Sequence, residues 1–119
     1  KGELIGLEVN MRPSGGISPD MMNFSQSTDV YKIWADMIAY DSSLRGIGQT
    51  AFCAFAGRRD GKNFVMSDED IMHKYGANMK MSGRVADALS GAMGNQMYIA
   101  NFNTKEEMDA FYNDVLACR

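Results

Sequence analysis

Glu8, Asn10 and Arg12 place a carboxylate, an amide and a guanidinium at alternate positions, with Leu7, Val9 and Met11 at or between them. Side chains of an extended strand alternate faces, so the three polar groups would point the same way. A carboxylate and an amide oxygen side by side suit a hard cation such as Mg²⁺, which takes oxygen ligands and is commonly bound together with phosphates. The Arg12 guanidinium offers a planar fork for phosphate oxygens, or for charge that develops in a transition state. Pro13-Ser14-Gly15-Gly16 follows. Its glycines free the backbone to turn tightly or to approach a ligand. The plain alternative is a strand with one solvated polar face, and spacing alone leaves both readings open.

The string Gly6-Leu7-Glu8-Val9-Asn10-Met11-Arg12-Pro13-Ser14-Gly15-Gly16 resembles the metal-binding strand of the ATP-grasp ligases, where Glu-x-Asn-x-Arg closes the nucleotide site. In that family a loop follows, then a helix entered through an Asp-hydrophobic pair. Thr28-Asp29-Val30-Tyr31-Lys32-Ile33-Trp34-Ala35 is similar to that helix. The likeness covers roughly the first forty residues and is to the biotin-carboxylase and carbamoyl-phosphate-synthase large-subunit branch. From about residue 47 onward, the order of elements resembles the C-terminal subdomain that packs behind the active site in that branch.

The elements that must position these groups are read from periodicity and punctuation. Glu3 to Met11 is expected as a strand. Arg12 to Gln26 reads as a long loop punctuated by Pro13, Gly15, Gly16, Ser18 and Pro19, with at most a short turn capped by Asp20. Ser27 or Thr28 should cap a helix whose stripe is Val30, Ile33, Trp34, Met37 and Ile38. Ser42 to Gly48 is a linker. Gln49 to Ala56 reads as a buried strand, and Gly57 to Lys62 as a turn. Asn63 to Met66 reads as the second arm of a hairpin. Ser67-Asp68-Glu69-Asp70 opens a helix with Ile71, Met72 and Tyr75 facing inward and Gly76 at its end. Strands are expected over Met79 to Val85 and up to Phe102. Thr104 to Glu107 has the form of a capping box before a last helix that carries Met108, Phe111, Tyr112 and Val115 on one face.

The fold class is therefore α+β: a mixed or antiparallel sheet covered on one side by helices, as in the C-terminal part of an ATP-grasp fold. Residues 1–46 would end the catalytic domain, with metal-binding strand, substrate loop and helix. Residues 47–119 would form a C-terminal α+β subdomain. The strand that opens the chain needs a partner, and ATP-grasp chemistry needs a nucleotide-clamping lid. The chain is accordingly expected to be a C-terminal fragment that works with an N-terminal part of the same enzyme and is inactive alone.

Bulk properties narrow the partners. The 119 residues are 45% hydrophobic and 23% charged, a globular composition. Net charge is −3, and Arg58-Arg59 is the most basic pair, which argues against nucleic acid or an anionic membrane as partner. Cys53 and Cys118 form no Cys-x-x-Cys, and His73 is the single histidine, so neither a zinc site nor a disulfide scaffold is supported. Reduced thiols and a cytoplasmic location follow as expectations. Cys53 is read as packing and His73 as a surface residue. The 11 methionines are read as flexible filler of the core, because no Met-x-x-Met cluster marks a metal or a plastic binding face.

The resemblance implies an ATP- and Mg²⁺-dependent (or Mn²⁺-dependent) ligase that joins a small carboxylate to an amine through an acylphosphate. In that reading Glu8 bridges metal ions at the nucleotide and Asn10 binds the second of them. Arg12 is the catalytic residue, holding the carboxylate or acylphosphate. Ser14, Gly15 and Gly16 cradle the substrate, and Arg58 and Arg59 reach it from the second subdomain. The alternative for that pair is ordinary hairpin-turn charge. Biotin carboxylases carry Gln-Val-Glu-His after the Arg, whereas this chain has Pro13-Ser14-Gly15-Gly16-Ile17. Biotin carboxylation is therefore not expected, and the Arg-Pro-x-Gly form resembles amino-acid and peptide ligases or carbamoyl-phosphate-synthase-like proteins. The competing function is a non-catalytic module for protein interaction or small-molecule regulation. A homodimer is compatible with either.

Overall fold

A computed structural model describes Gly2 and residues 12–119. The expected strand from Glu3 to Met11, with Glu8 and Asn10, lies outside the described residues. The described chain runs α1 (Ser18–Gln26), α2 (Val30–Tyr40), β1 (Phe52–Arg58), α3 (Asp68–Tyr75), β2 (Met79–Arg84), α4 (Asp87–Met93), β3 (Gln96–Phe102) and α5 (Lys105–Leu116). The α+β class holds, with a three-stranded antiparallel sheet in the order β1-β3-β2.

The register sets Ala54 opposite Ala100, Ala56 opposite Tyr98 and Arg58 opposite Gln96, and Ser82 opposite Tyr98 on the other side of β3. One sheet face carries Ala54, Ala56, Tyr98, Ala100 and Phe102 into a core completed by Ile71 and Tyr75 of α3 and Phe111 and Val115 of α5. Small alanines on β1 leave room for the aromatic rings, and Tyr75 meets Phe111 edge-on at 5.2 Å. Each fully buried side chain such as Phe111, Ile71 or Val115 contributes about 1.5–3 kcal/mol.

The capping box expected at the start of α5 forms, and α3, expected to open at Ser67, opens with a capping box as well. Ser67 accepts from Asp70 N and Thr104 from Glu107 N, while both acidic side chains answer the cap backbone. These caps fix where the two core helices begin.

Several expectations need correction. The loop from Arg12 to Gln26 contains α1. Proline is tolerated in a first helical turn, where its missing N–H costs nothing, so Pro19 initiates the helix and does not break it. Asp29, not Ser27 or Thr28, caps α2 by accepting from Lys32 N at 3.0 Å. The two hydroxyls instead hold the following segment: Ser27 donates to Gln49 O and Thr28 to Gly46 O, each at 3.0 Å.

The hairpin from β1 to Asn63–Met66 does not form. β1 pairs with β3, and Phe64 makes only an isolated bridge to Cys118. The sheet is also covered on its second face. Ile99 is fully buried there, Asn101 Nδ2 donates to Phe24 O of α1 at 2.7 Å, and a side chain at Gly57 would strike the Met93 carbonyl of α4. α4 itself was not expected. Met72, expected inside, is exposed. No described methionine is fully buried: Met66, Met79 and Met108 pack against the core margin, while Met22 and Met37 are exposed. No helix among the described residues is long and apolar enough to cross a membrane.

Candidate functional site: the glycine turn and its flanking clefts

Arg12 is exposed, and its Nη1 donates to Pro13 O at 3.2 Å. Ser14 and Gly15 are exposed as well. Gly16 has φ of +66°, the left-handed region where glycine carries no Cβ penalty. A side-chain atom added at Gly15 or Gly16 would meet nothing within 4 Å, so this turn presents open backbone. α1 begins directly after it, and Met21 N closes the first turn onto Ile17 O at 3.0 Å.

Two clefts flank the turn. Arg12, Pro13 and Ser14 line the rim of an apolar groove of about 430 Å³, whose wall includes Met22, Ile33, Trp34 and Met37 from α1 and α2. Gly16 lines a different cleft of about 340 Å³, which runs between the start of α1 and the β2–α4 connection. The structure therefore splits the predicted substrate loop, with Arg12 and Ser14 on one side and Gly16 on the other.

Arg58 and Arg59 separate: Arg58 is the last residue of β1, and Arg59 follows the strand. Arg58 is 4% exposed and is consumed by the fold. Its Nε donates to Val115 O at 2.7 Å, and its Nη1 donates to Met66 O at 2.9 Å and to Asp68 Oδ1 at 3.2 Å. The guanidinium carbon lies 4.4 Å from the Phe64 ring centroid and 5.6 Å from that of Tyr98, so aromatic faces offset its charge. Tyr98 also donates to Asp68, and burial, with that bond second, holds its phenol well above the usual tyrosine range. Arg59 points outward and donates through Nη2 to Gly91 O at 2.6 Å, tying β1 to α4. Neither arginine lines the two clefts beside the glycine turn. They meet in a third, polar cleft of about 240 Å³ with Lys62 and Arg84.

Arg84 is the cation that sequence reasoning missed. It lines both that polar cleft and the cleft of Gly16. Asp60 holds it bidentately, with Nη1 and Nη2 donating at 2.7 and 2.6 Å. The bond to Arg84 draws the Asp60 carboxyl below its ordinary range, and the Asp60 bond raises Arg84. Asp20 faces the same Gly16 cleft, and its Oδ1 accepts from Tyr31 OH at 3.4 Å. Arg84 lies at the end of an alternating strand and Asp20 in a helix start, so each has an ordinary local reading. Only the packing of α1 against the sheet brings them to one cleft.

Among the described residues no group of three or more His, Cys, Asp or Glu is arranged to hold a metal ion. The two predicted metal ligands, Glu8 and Asn10, are outside that set. No protein-family model matches the chain, and no curated protein or solved structure matches it significantly.

Proposed function

We propose that the chain is part of an ATP-grasp ligase that activates a carboxylate as an acylphosphate and passes it to an amine. The observation that carries this reading is the string Glu8-x-Asn10-x-Arg12-Pro13-Ser14-Gly15-Gly16. An exposed Arg12 beside an open glycine turn supports it, since both would have to meet a ligand.

The chemistry balances simply. A substrate carboxylate oxygen attacks the γ-phosphorus of ATP, the bond to the ADP oxygen breaks, and an acylphosphate forms. The amine then attacks the acyl carbon and phosphate leaves. Glu8 and Asn10 would hold Mg²⁺, or Mn²⁺ in its place, which supplies charge neutralisation at the phosphates. Arg12 presents its fork to the carboxylate and strengthens its grip as charge develops. Ser14, which lines the same cleft as Arg12, would help orient the acid. Arg58 serves the reaction indirectly, by fixing the C-terminal end of β1 to α5.

The test is phosphate release from ATP by the intact enzyme over a panel of carboxylic acids with and without amines. Release that requires both co-substrates, and that Glu8→Gln abolishes, is the expected result. Release indifferent to Glu8, Asn10 and Arg12 would remove the ligase assignment.

One observation favours the second reading, a non-catalytic interaction module. Tyr31, Met37, Ile38 and Tyr40 of α2 are all exposed. Substitutions on α2 that abolish capture of a protein partner, while Glu8→Gln leaves that capture unchanged, would select it.

A further inference from the structure

The cleft between the start of α1 and the β2–α4 connection has a composition that specifies a ligand. Its wall is apolar, formed by Val85, Leu89, Met93 and Met97. Leu89 is 50% exposed, although leucine on a short helix gains nothing from water. Two opposite charges, Asp20 and Arg84, stand on the same cleft. They are not paired to each other: Arg84 forms an ion pair with Asp60, and among the described residues Asp20 takes only the Tyr31 hydroxyl.

Asp60 engages two of the five N–H donors of Arg84 and orients the guanidinium without exhausting it. At about 340 Å³ the space lies at the small end of ligand pockets. Such pockets combine an apolar lining with a few polar groups that fix orientation. Methionine walls adapt to side chains of different shape.

We propose that this cleft binds a free α-amino acid with an apolar side chain. Asp20 receives the ammonium group, Arg84 receives the carboxylate, and the side chain lies along Val85, Leu89, Met93 and Met97. Gly16, whose missing Cβ leaves the rim open, lets the ligand backbone enter. The site stands on described residues alone and requires neither nucleotide nor metal. Its failure would leave the ligase reading to its own test, and the converse also holds.

The experiment is a titration of the full 119-residue chain, followed by methyl and amide NMR, with L-leucine, L-methionine, N-acetyl-L-leucine, L-leucinamide and L-aspartate. Saturable shifts at Leu89, Met93 and Met97 are expected with leucine and methionine. The acetylated and amidated forms should bind about tenfold or more weakly, because each lacks one of the two ligand charges that Asp20 and Arg84 would answer with a charge-assisted hydrogen bond. L-aspartate should not saturate. Asp20→Asn should weaken leucine by about tenfold and leave N-acetyl-leucine unchanged. Leu89→Asp, at an exposed position that the fold tolerates, should weaken all apolar ligands. Comparable affinity for leucine, its acetylated form and its amide, or no saturable shift at the cleft, would overturn the proposal. The analogue comparison on the unaltered chain decides it even where a variant misfolds.

Discussion

Arg58 Nε donates to Val115 O at 2.7 Å across 57 positions of sequence, joining the end of β1 to the last turn of α5. A helix leaves its final carbonyls without intrahelical donors, and here a buried guanidinium from the sheet answers one of them. The same side chain holds Met66 O at 2.9 Å. Arg58→Met would leave both carbonyls without their donor in a dry environment. The expected cost is about 2–4 kcal/mol in urea or thermal unfolding. Arg58→Lys should recover little of it, because an ammonium cannot reproduce the fork. Unchanged stability in Arg58→Met would mean that the turn over Phe64 opens to water.

Gly57 and Gly94 are required by close approach. A Cβ at Gly57 would sit 2.0 Å from Met93 O, and one at Gly94, with φ of +87°, would sit 2.7 Å from Arg58 O. Both obstacles are backbone and cannot swing away. Gly57→Ala is expected to destabilise by about 3 kcal/mol or more and to push α4 off the sheet. Loss of amide-exchange protection in β3 opposite Gly57 checks this directly. Gly15→Ala, where nothing lies within 4 Å, should be neutral to folding.

Acid should weaken the α3–α5 junction. Lys74 and Tyr75 both donate to Asp114, and those bonds, Lys74 first, hold its carboxyl below the ordinary range. A depressed folded-state pKa means the stabilisation is complete above the unfolded value of about 4 and is lost as pH falls through the folded one. Wild type should therefore lose stability on acidification below pH ~4 more steeply than Asp114→Asn, which lacks the titrating group. Matching acid-unfolding slopes would show that the contact carries no linkage.

How much of this was legible depended on whether a signal was local. The capping box at Thr104 and the helix start at Ser67 were readable because cap and partner lie three residues apart. Helix α2 was readable for the same reason, but its expected stripe is not a core face: Met37 and Ile38 are exposed and no residue of α2 is buried. β1 was assigned to the wrong neighbour because hairpin logic favours the next segment, whereas its partner β3 follows only after α3, β2 and α4. α1 was hidden by Pro19 and its glycine-rich approach, and α4 by its seven-residue length and the lack of a side-chain cap at Ala86. At the site, the Glu8–Arg12 string was conspicuous in one line of sequence. The meeting of Asp20 with Arg84, 64 positions apart by their numbering, is a consequence of packing alone.

Arg12 should act on the transition state of the intact enzyme. Arg12→Lys keeps the charge and loses the bidentate fork. Turnover is expected to fall about 100- to 1000-fold, in line with deletions of oxyanion donors, while ATP affinity changes far less. Because Arg12 is exposed, folding should be unaffected, and a melting curve identical to wild type separates chemistry from stability. Turnover within about threefold of wild type would make Arg12 a structural residue and leave the chemistry to Glu8 and Asn10.

The account rests most heavily on Glu8 and Asn10 as ligands of a hard cation, and Mn²⁺ titration of the chain reads that directly. A bound Mn²⁺ ion broadens amide signals around it. Broadening centred on residues 8 to 12 and abolished by Glu8→Gln is the predicted result. Broadening centred instead on other carboxylates, such as Glu106 and Asp109 of α5, with the signals of residues 8 to 12 left sharp, would contradict the metal assignment and with it the ligase reading.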